Sequence, residues 1–316
     1  MADDCSLFEA AVGDGRFPVA LTGFCLVLTG GFALLQSASG HLLPHDSRAI
    51  GMDAAALMRS GNAHLLGFMF HDRVAYGGSL LSIGFGYMWV AGFPLTHREV
   101  WAWWALLLSG AIGFLGFLTY LGQGYLDTWH AVATAFLLPV FVAGLWRSSP
   151  RGVTLRSARR IRRPGENYLA KAGRVLLALT SIGLMLAGAT IAAFGMTKVF
   201  VPSDLRFIGL DAATLRRISP SLIPVISHDR AGFGVGLCSI GVFLLLVARH
   251  AKLDASLIQI IALMGSAGFG CAIGVHFAVG YLDFMHLLPA FVGFMLFVVA
   301  DLLLWIGRKT GIRATT

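Results

Sequence analysis

Charge is what this sequence has least of. Asp, Glu, Lys and Arg make up 13% of its 316 residues, while 57% are hydrophobic, and the mean hydropathy is +0.76. A soluble domain carries about twice that charge. So little charge excludes a disordered chain and a water-soluble enzyme. Cysteine is also scarce. Cys5, Cys25, Cys238 and Cys271 are scattered, and no CxxC occurs. A disulfide scaffold and a zinc ribbon are excluded with it. Also missing are a Walker loop, a dinucleotide-binding glycine fingerprint at a strand–helix turn and a serine nucleophile elbow. Nucleotide-driven chemistry has no support.

What is present is long apolar runs. A helix needs about 20 mostly apolar residues to cross the hydrocarbon core. Eight segments qualify, at about 17–38, 70–93, 100–120, 126–146, 172–196, 230–249, 255–276 and 283–306. The stretch before the first carries acids and no basic n-region, so that helix is expected to remain as a span. The net charge of +8 has an address. Arg147, Arg151, Arg156, Arg159, Arg160, Arg162, Arg163, Lys171 and Arg174 crowd the stretch between the fourth and fifth segments, against the single acid Glu166. Positive charge marks the cytoplasmic side of a membrane protein, not a nucleic-acid site. The basic turns His97–Arg98 and Arg249–Lys252 and the tail Arg308–Arg313 fall on that side by parity. Both termini are therefore expected in the cytoplasm of a bacterial-type inner membrane, with the loops 39–69 and 197–229 outside.

The chain repeats itself. Pro44-His-Asp46-Ser-Arg48-Ala-Ile-Gly51-Met-Asp53 matches Pro202-Ser-Asp204-Leu-Arg206-Phe-Ile-Gly209-Leu-Asp211. His71-Asp72-Arg73 matches His228-Asp229-Arg230, and Gly124-Tyr125-Leu126-Asp127-Thr-Trp-His130 matches Gly280-Tyr281-Leu282-Asp283-Phe-Met-His286. Pro44 and Pro202 are 158 residues apart, His71 and His228 are 157, and His130 and His286 are 156. Three blocks in order at a nearly constant offset imply a tandem duplication. The expected architecture is an all-α integral membrane protein of eight transmembrane helices. It forms two tandem four-helix bundles, residues 1–146 and 172–316, joined by a basic cytoplasmic linker, 147–171. An even number of spans inserts both units the same way up, with a pseudo-twofold axis along the membrane normal.

Four histidines fall in the repeated blocks. His71 and His228 are expected at the exoplasmic starts of the second and sixth spans, with His130 and His286 about one turn inside the fourth and eighth. An ionisable residue at membrane depth is costly and signals function. The pattern suggests one site per unit, each bracketed by histidines from two helices, as suits six-coordinate heme iron. One or two heme b groups are the expected cofactors, or else a histidine-ligated iron or copper ion. Arg73 and Arg230 would meet heme propionates. Asp127 and Asp283 could fix imidazole tautomers, with Asp72 and Asp229 also close by. Gly77, Gly78, Gly232, Gly234 and Gly236 leave room for close helices or a flat ligand. A competing reading keeps the His-Asp-Arg sets as helix-end ion pairs. His64 and His276 break the symmetry, aligning with Ser221 and Tyr120, and each reads as a hydrogen-bonding residue. His41, His45, His97 and His250 read as solvated.

These residues resemble the heme A synthase family, which has eight spans in two halves and a histidine in the second, fourth, sixth and eighth. The first span, with Gly30-Gly31 and its Ser39-Gly40 exit, and the His-x-Arg-x-x-x-Gly strings 71–77 and 228–234 are similar to that family's motifs. The resemblance covers roughly residues 17–306, as architecture and spacing more than identity. It implies heme sites at His71, His130, His228 and His286. The glutamate that the family places three residues before its first histidine, thought to serve oxidation of the heme methyl group, is Phe68 here, and the loop 39–69 lacks the cysteine pair of many members. Other functions fit the same residues: a transporter or channel using the Asp-His-Arg clusters, or a non-catalytic subunit of a larger membrane complex. Expected partners are the lipid bilayer, a quinone or respiratory-chain component, or a second copy of the chain.

Overall fold

A computed structural model describes residues 12–116, 118, 125, 128–150 and 166–313. Most of the linker and the side chains of Asp127 and His130 lie outside them. Among the described residues all regular structure is helical: α1 (Arg16–Ala38), α2 (Pro44–Ile50), α3 (Ala54–Ser60), α4 (Ala63–Gly92), a 3-10 turn (Pro94–His97), α5 (Val100–Leu115), α6 (Thr128–Arg147), α7 (Tyr168–Met196), α8 (Pro202–Ile208), α9 (Ala212–Ile218), α10 (Leu222–His250), α11 (Ala255–Val279) and α12 (Phe284–Arg313). Six of these, α1, α4, α7, α10, α11 and α12, are long and apolar enough to cross a membrane; α5 and α6 are apolar but shorter. Their outward faces carry large apolar side chains, among them Leu35, Leu186, Met285 and Leu302, all at least half exposed. In water such a surface would drive aggregation, whereas lipid accommodates it. These features mark an α-helical membrane protein.

α4 and α10 begin earlier than hydropathy suggested, and for a local reason. Asn62 caps α4, its side chain accepting from Leu65 N, and Ser221 precedes α10. His71 and His228 therefore lie about two turns inside continuous helices, not at their ends. Both helices are largely buried, while α1, α7, α11 and α12 surround them.

Glycine allows the closest approaches. A Cβ on Gly30 would stand 2.5 Å from Gly77 O, and one on Gly188 would stand 2.5 Å from Gly234 O. These glycines serve backbone-to-backbone contact between α1 and α4 and between α7 and α10, as small residues do in membranes. Gly188→Leu is expected to destabilise by about 1–3 kcal/mol or more, the range for overpacking. Gly183→Leu, on the same helix but with open space around its Cβ, should leave stability unchanged or slightly raised. Thermal unfolding in detergent compares the two, and equal melting would contradict the packing argument.

The two long loops, 39–62 and 197–221, are the same structure twice. Proline opens α2 and α8, Gly51 (φ 79°) and Gly209 (φ 72°) end them in the left-handed region, and Asp53 and Asp211 cap α3 and α9. Left-handed φ favours glycine, and aspartate is a preferred N-cap. The Pro-x-Asp-x-Arg-x-x-Gly-x-Asp repeat is thus largely a backbone recipe. The loops also cross-bond: Asn62 Nδ2 donates to Ile208 O (2.8 Å) and Ser219 Oγ to Ile50 O (3.0 Å). Their apolar faces share one core that includes Leu57, Phe68, Ile208 and Leu215.

Helix packing follows a matched pattern. α1 packs on α4 as α7 packs on α10, and α6 on α1 as α12 on α7. The third long helix of each half crosses over: α5 packs on α10, and α11 on α4. The halves interleave, and neither half keeps its third helix to itself.

Candidate metal centre

Three consecutive helical residues point about 100° apart. His71, Asp72 and Arg73 accordingly reach three different partners, and all are buried, as are His228, Asp229 and Arg230. Unpaired, these charges would be very costly at this depth. They are paired across the duplication. Arg73 bonds Asp46 (2.5 Å) and Asp229 (2.8 Å). Arg230 bonds Asp204 (2.5 Å), Val199 O (2.7 Å) and Asp72 (3.3 Å). Each arginine thus pairs with an aspartate of its own half's loop and with the aspartate beside the other half's histidine. Tyr125 donates to Asp46 Oδ1 (2.6 Å) and Tyr281 to Asp204 Oδ1 (2.8 Å). Burial, with the neighbouring aspartate, pushes both phenols above the usual range near 10, so both hydroxyls stay protonated as donors.

Inside one side of this network lie three imidazoles from three helices: His71 of α4, His276 of α11 and His286 of α12. One ring nitrogen from each lies within 4.8 Å of the other two. The hydrogen bonds assign their tautomers. His71 Nδ1 lies 2.9 Å from Asp72 Oδ1, and a carboxylate only accepts. His276 Nδ1 lies 2.7 Å from Ala272 O, which also only accepts. Tyr281 spends its proton on Asp204, so its oxygen accepts from His286 Nδ1 at 3.3 Å. All three Nδ1 atoms donate in this arrangement, which leaves Nε2 as the acceptor nitrogen of each ring. His71 Nε2 and His276 Nε2 face each other at 2.9 Å. Two lone pairs at that distance require a proton or a cation between them. Asp72 and Asp204 also outnumber Arg230 around the triad by one negative charge, which favours a cation.

The set could hold a single metal ion after a small contraction. With metal–nitrogen bonds of about 2.0–2.1 Å, a pair 2.9 Å apart subtends about a right angle, and separations of up to 4.8 Å must close to about 4 Å or less. A heme on His71 would have to displace the His276 ring. Axial ligands on opposite faces of iron stand about 4 Å apart with the ring plane clear between them. Here the His276 ring, 4.2 Å away by centroid and edge-on, fills the space in front of His71.

Several sequence expectations change accordingly. His71 and His286 come from different halves, so the sites are not assembled unit by unit. His276, read as a hydrogen-bonding residue, is the third member of the triad. Arg73 and Arg230 are held in ion pairs instead of standing ready for propionates. Asp283 does not fix an imidazole tautomer: its Oδ1 accepts from the His286 backbone N (2.9 Å), and its Oδ2 lies 3.5 Å from the exposed Arg206. His45 is not solvated but half-buried, 3.6 Å from Asp46. His64 is exposed and edge-on to Phe207, no part of the cluster. His228 is fixed through Nδ1 to Asp229 (2.9 Å), with the Tyr125 ring 5.2 Å away; its expected partner His130 lies outside the described side chains. Sequence reading missed Asp46, Asp204, Tyr125 and Tyr281, although all four sit in the repeated blocks.

No protein-family model matches the chain, and no curated protein or solved structure is significantly similar to it. The site's chemistry has to be argued from its own geometry.

Proposed function

We propose that this is a duplicated membrane protein in which His71, His276 and His286 hold a copper or iron ion for an oxidoreductase or electron-transfer role. The observation that carries this reading is the convergence of His71, His276 and His286 from three helices, with one ring nitrogen of each within 4.8 Å of the other two. Imidazole suits copper, iron and zinc alike. A bound copper or iron ion would supply one-electron chemistry. The chain's residues orient and insulate the site: Asp72 fixes the His71 ring and strengthens it as a donor, while Phe68 and Tyr281 pack beside it and keep water out.

The architecture that best accommodates this site has eight spans, with α5 and α6 as the two shorter ones, in two repeats inserted the same way up. Residues 1–146 and 172–316 form the repeats and 147–171 the linker. The matched loops and helix contacts support a pseudo-twofold axis along the membrane normal. The basic linker supports cytoplasmic termini, which puts the triad near the exoplasmic face.

The test is elemental analysis of the purified protein, with absorption and pyridine hemochromogen spectra and electron paramagnetic resonance. About one copper or iron per chain without a Soret band is expected. A Soret band would replace the triad with heme. Zinc alone would remove the redox role.

A further inference from the structure

An apolar cavity of ≈ 80 Å³ begins about one helical turn from His276 and His286. α10, from Phe233 to Leu244, and Leu184 of α7 line it together with the three triad helices: α4 through Ser82, α11 through Met264, Gly268 and Ala272, and α12 through Ala290 and Phe297. Ala272 is the residue whose carbonyl holds His276, and Ala290 lies about one turn beyond His286. Small residues therefore stand at the end of the cavity nearest the imidazoles. From Ala272 to Met264 it extends about 12 Å along the helix, at about 1.5 Å per residue. Ser82 is the single polar side chain among the lining residues. Water has too few partners in such a space. The lining atoms of an empty channel also lose their contacts outright. Apart from Ser82 the lining is hydrocarbon, so the space suits the apolar part of a lipophile and not a polar or charged solute.

We propose that this cavity binds the hydrocarbon tail of a membrane-dissolved substrate or electron donor, with its polar end directed at His276 and His286. The role of that end rests on the metal reading above. The tail site does not, since it stands on the cavity alone. The ligand class it assigns is a lipophile.

The experiment is photolabelling of the purified full-length protein in vesicles. The probe is a fatty alcohol with a diazirine at its chain end, and the labelled residues are located by mass spectrometry. A phospholipid with the same diazirine on one acyl chain is run in parallel. Label from the fatty alcohol is expected around Met264, Gly268 and Phe297. In Gly268→Leu, whose new side chain has only ordinary contact with Ser82 at 3.6 Å, labelling should fall by about tenfold or more, as expected when a side chain occupies the ligand's space. Ala290→Phe provides a second filling variant. Metal content and melting temperature, measured on each protein, show that both fold. Unchanged labelling in two folded variants would overturn the proposal. Equal labelling by the phospholipid would overturn it too, by making the occupant a bilayer acyl chain. Labelling intact in a protein that purifies without metal would leave the tail site standing and sink only the metal centre.

Discussion

His276→Ala is expected to empty the metal centre. It removes one of three ligands and leaves His71 Nε2 without the partner it faces at 2.9 Å. Outer hydrogen-bond partners of metal-bound histidines are worth about 10–100-fold in affinity, so losing a ligand itself should cost more than about 100-fold. Tyr281→Phe should fall within that outer range, because it removes the hydroxyl that holds His286 Nδ1 and donates to Asp204 but leaves all three histidines in place. His64→Ala, on the exposed side chain against Phe207, should retain full metal. Competition with a chelator of known affinity ranks the three variants. If His276→Ala bound metal as tightly as the parent, the triad would not be the site.

Arg230→Met should destabilise the protein more than Gly188→Leu or any single change at the triad. The guanidinium is buried, and its removal strands Asp72 and Asp204 in a low-dielectric interior. Breaking a buried ion pair by removing one partner costs about 3–5 kcal/mol, chiefly because the remaining charge is uncompensated. Arg206→Met offers the contrast. Arg206 lies 3.5 Å from Asp283 with 69% of its side chain exposed. A surface pair of this kind contributes about 0–1 kcal/mol. Unfolding in mixed micelles measures both. An Arg230→Met protein no less stable than Arg206→Met would mean that the buried network is not what holds the two halves in register.

Much of the fold follows from hydropathy and spacing. The apolar runs predicted the six helices long enough to cross a membrane, and two more runs correspond to the shorter α5 and α6; α4 and α10 differ chiefly in starting about two turns sooner. That difference has a cause. His71-Asp72-Arg73 looks like a helix end because charge belongs in water, and only the three-dimensional pairing with Asp46 and Asp229 shows how a continuous helix carries it. The repeat also pointed to the right residues. Asp46, Asp204, Tyr125 and Tyr281 all lie in duplicated blocks. Their roles were hidden because their partners lie 26 to 79 residues away in the chain. His276 was hidden for the opposite reason. It has no duplicate, and a test that asked which residues occur twice passed over the one that makes the two halves different.

The crossed arginines carry one more consequence, for ancestry. Each half supplies one buried arginine, paired with its own loop aspartate, and a second buried aspartate that the other half's arginine reaches. A single unduplicated unit with this sequence pattern could satisfy its own buried charges only by pairing with an identical copy about a twofold axis, where each contact is made twice. The interleaving of α5 and α11 has the same form as an exchange between two identical subunits. The present chain has the form of such a homodimer with its subunits covalently joined. A joined chain can carry His276 where the other copy has Tyr120, an asymmetry that no homodimer can hold.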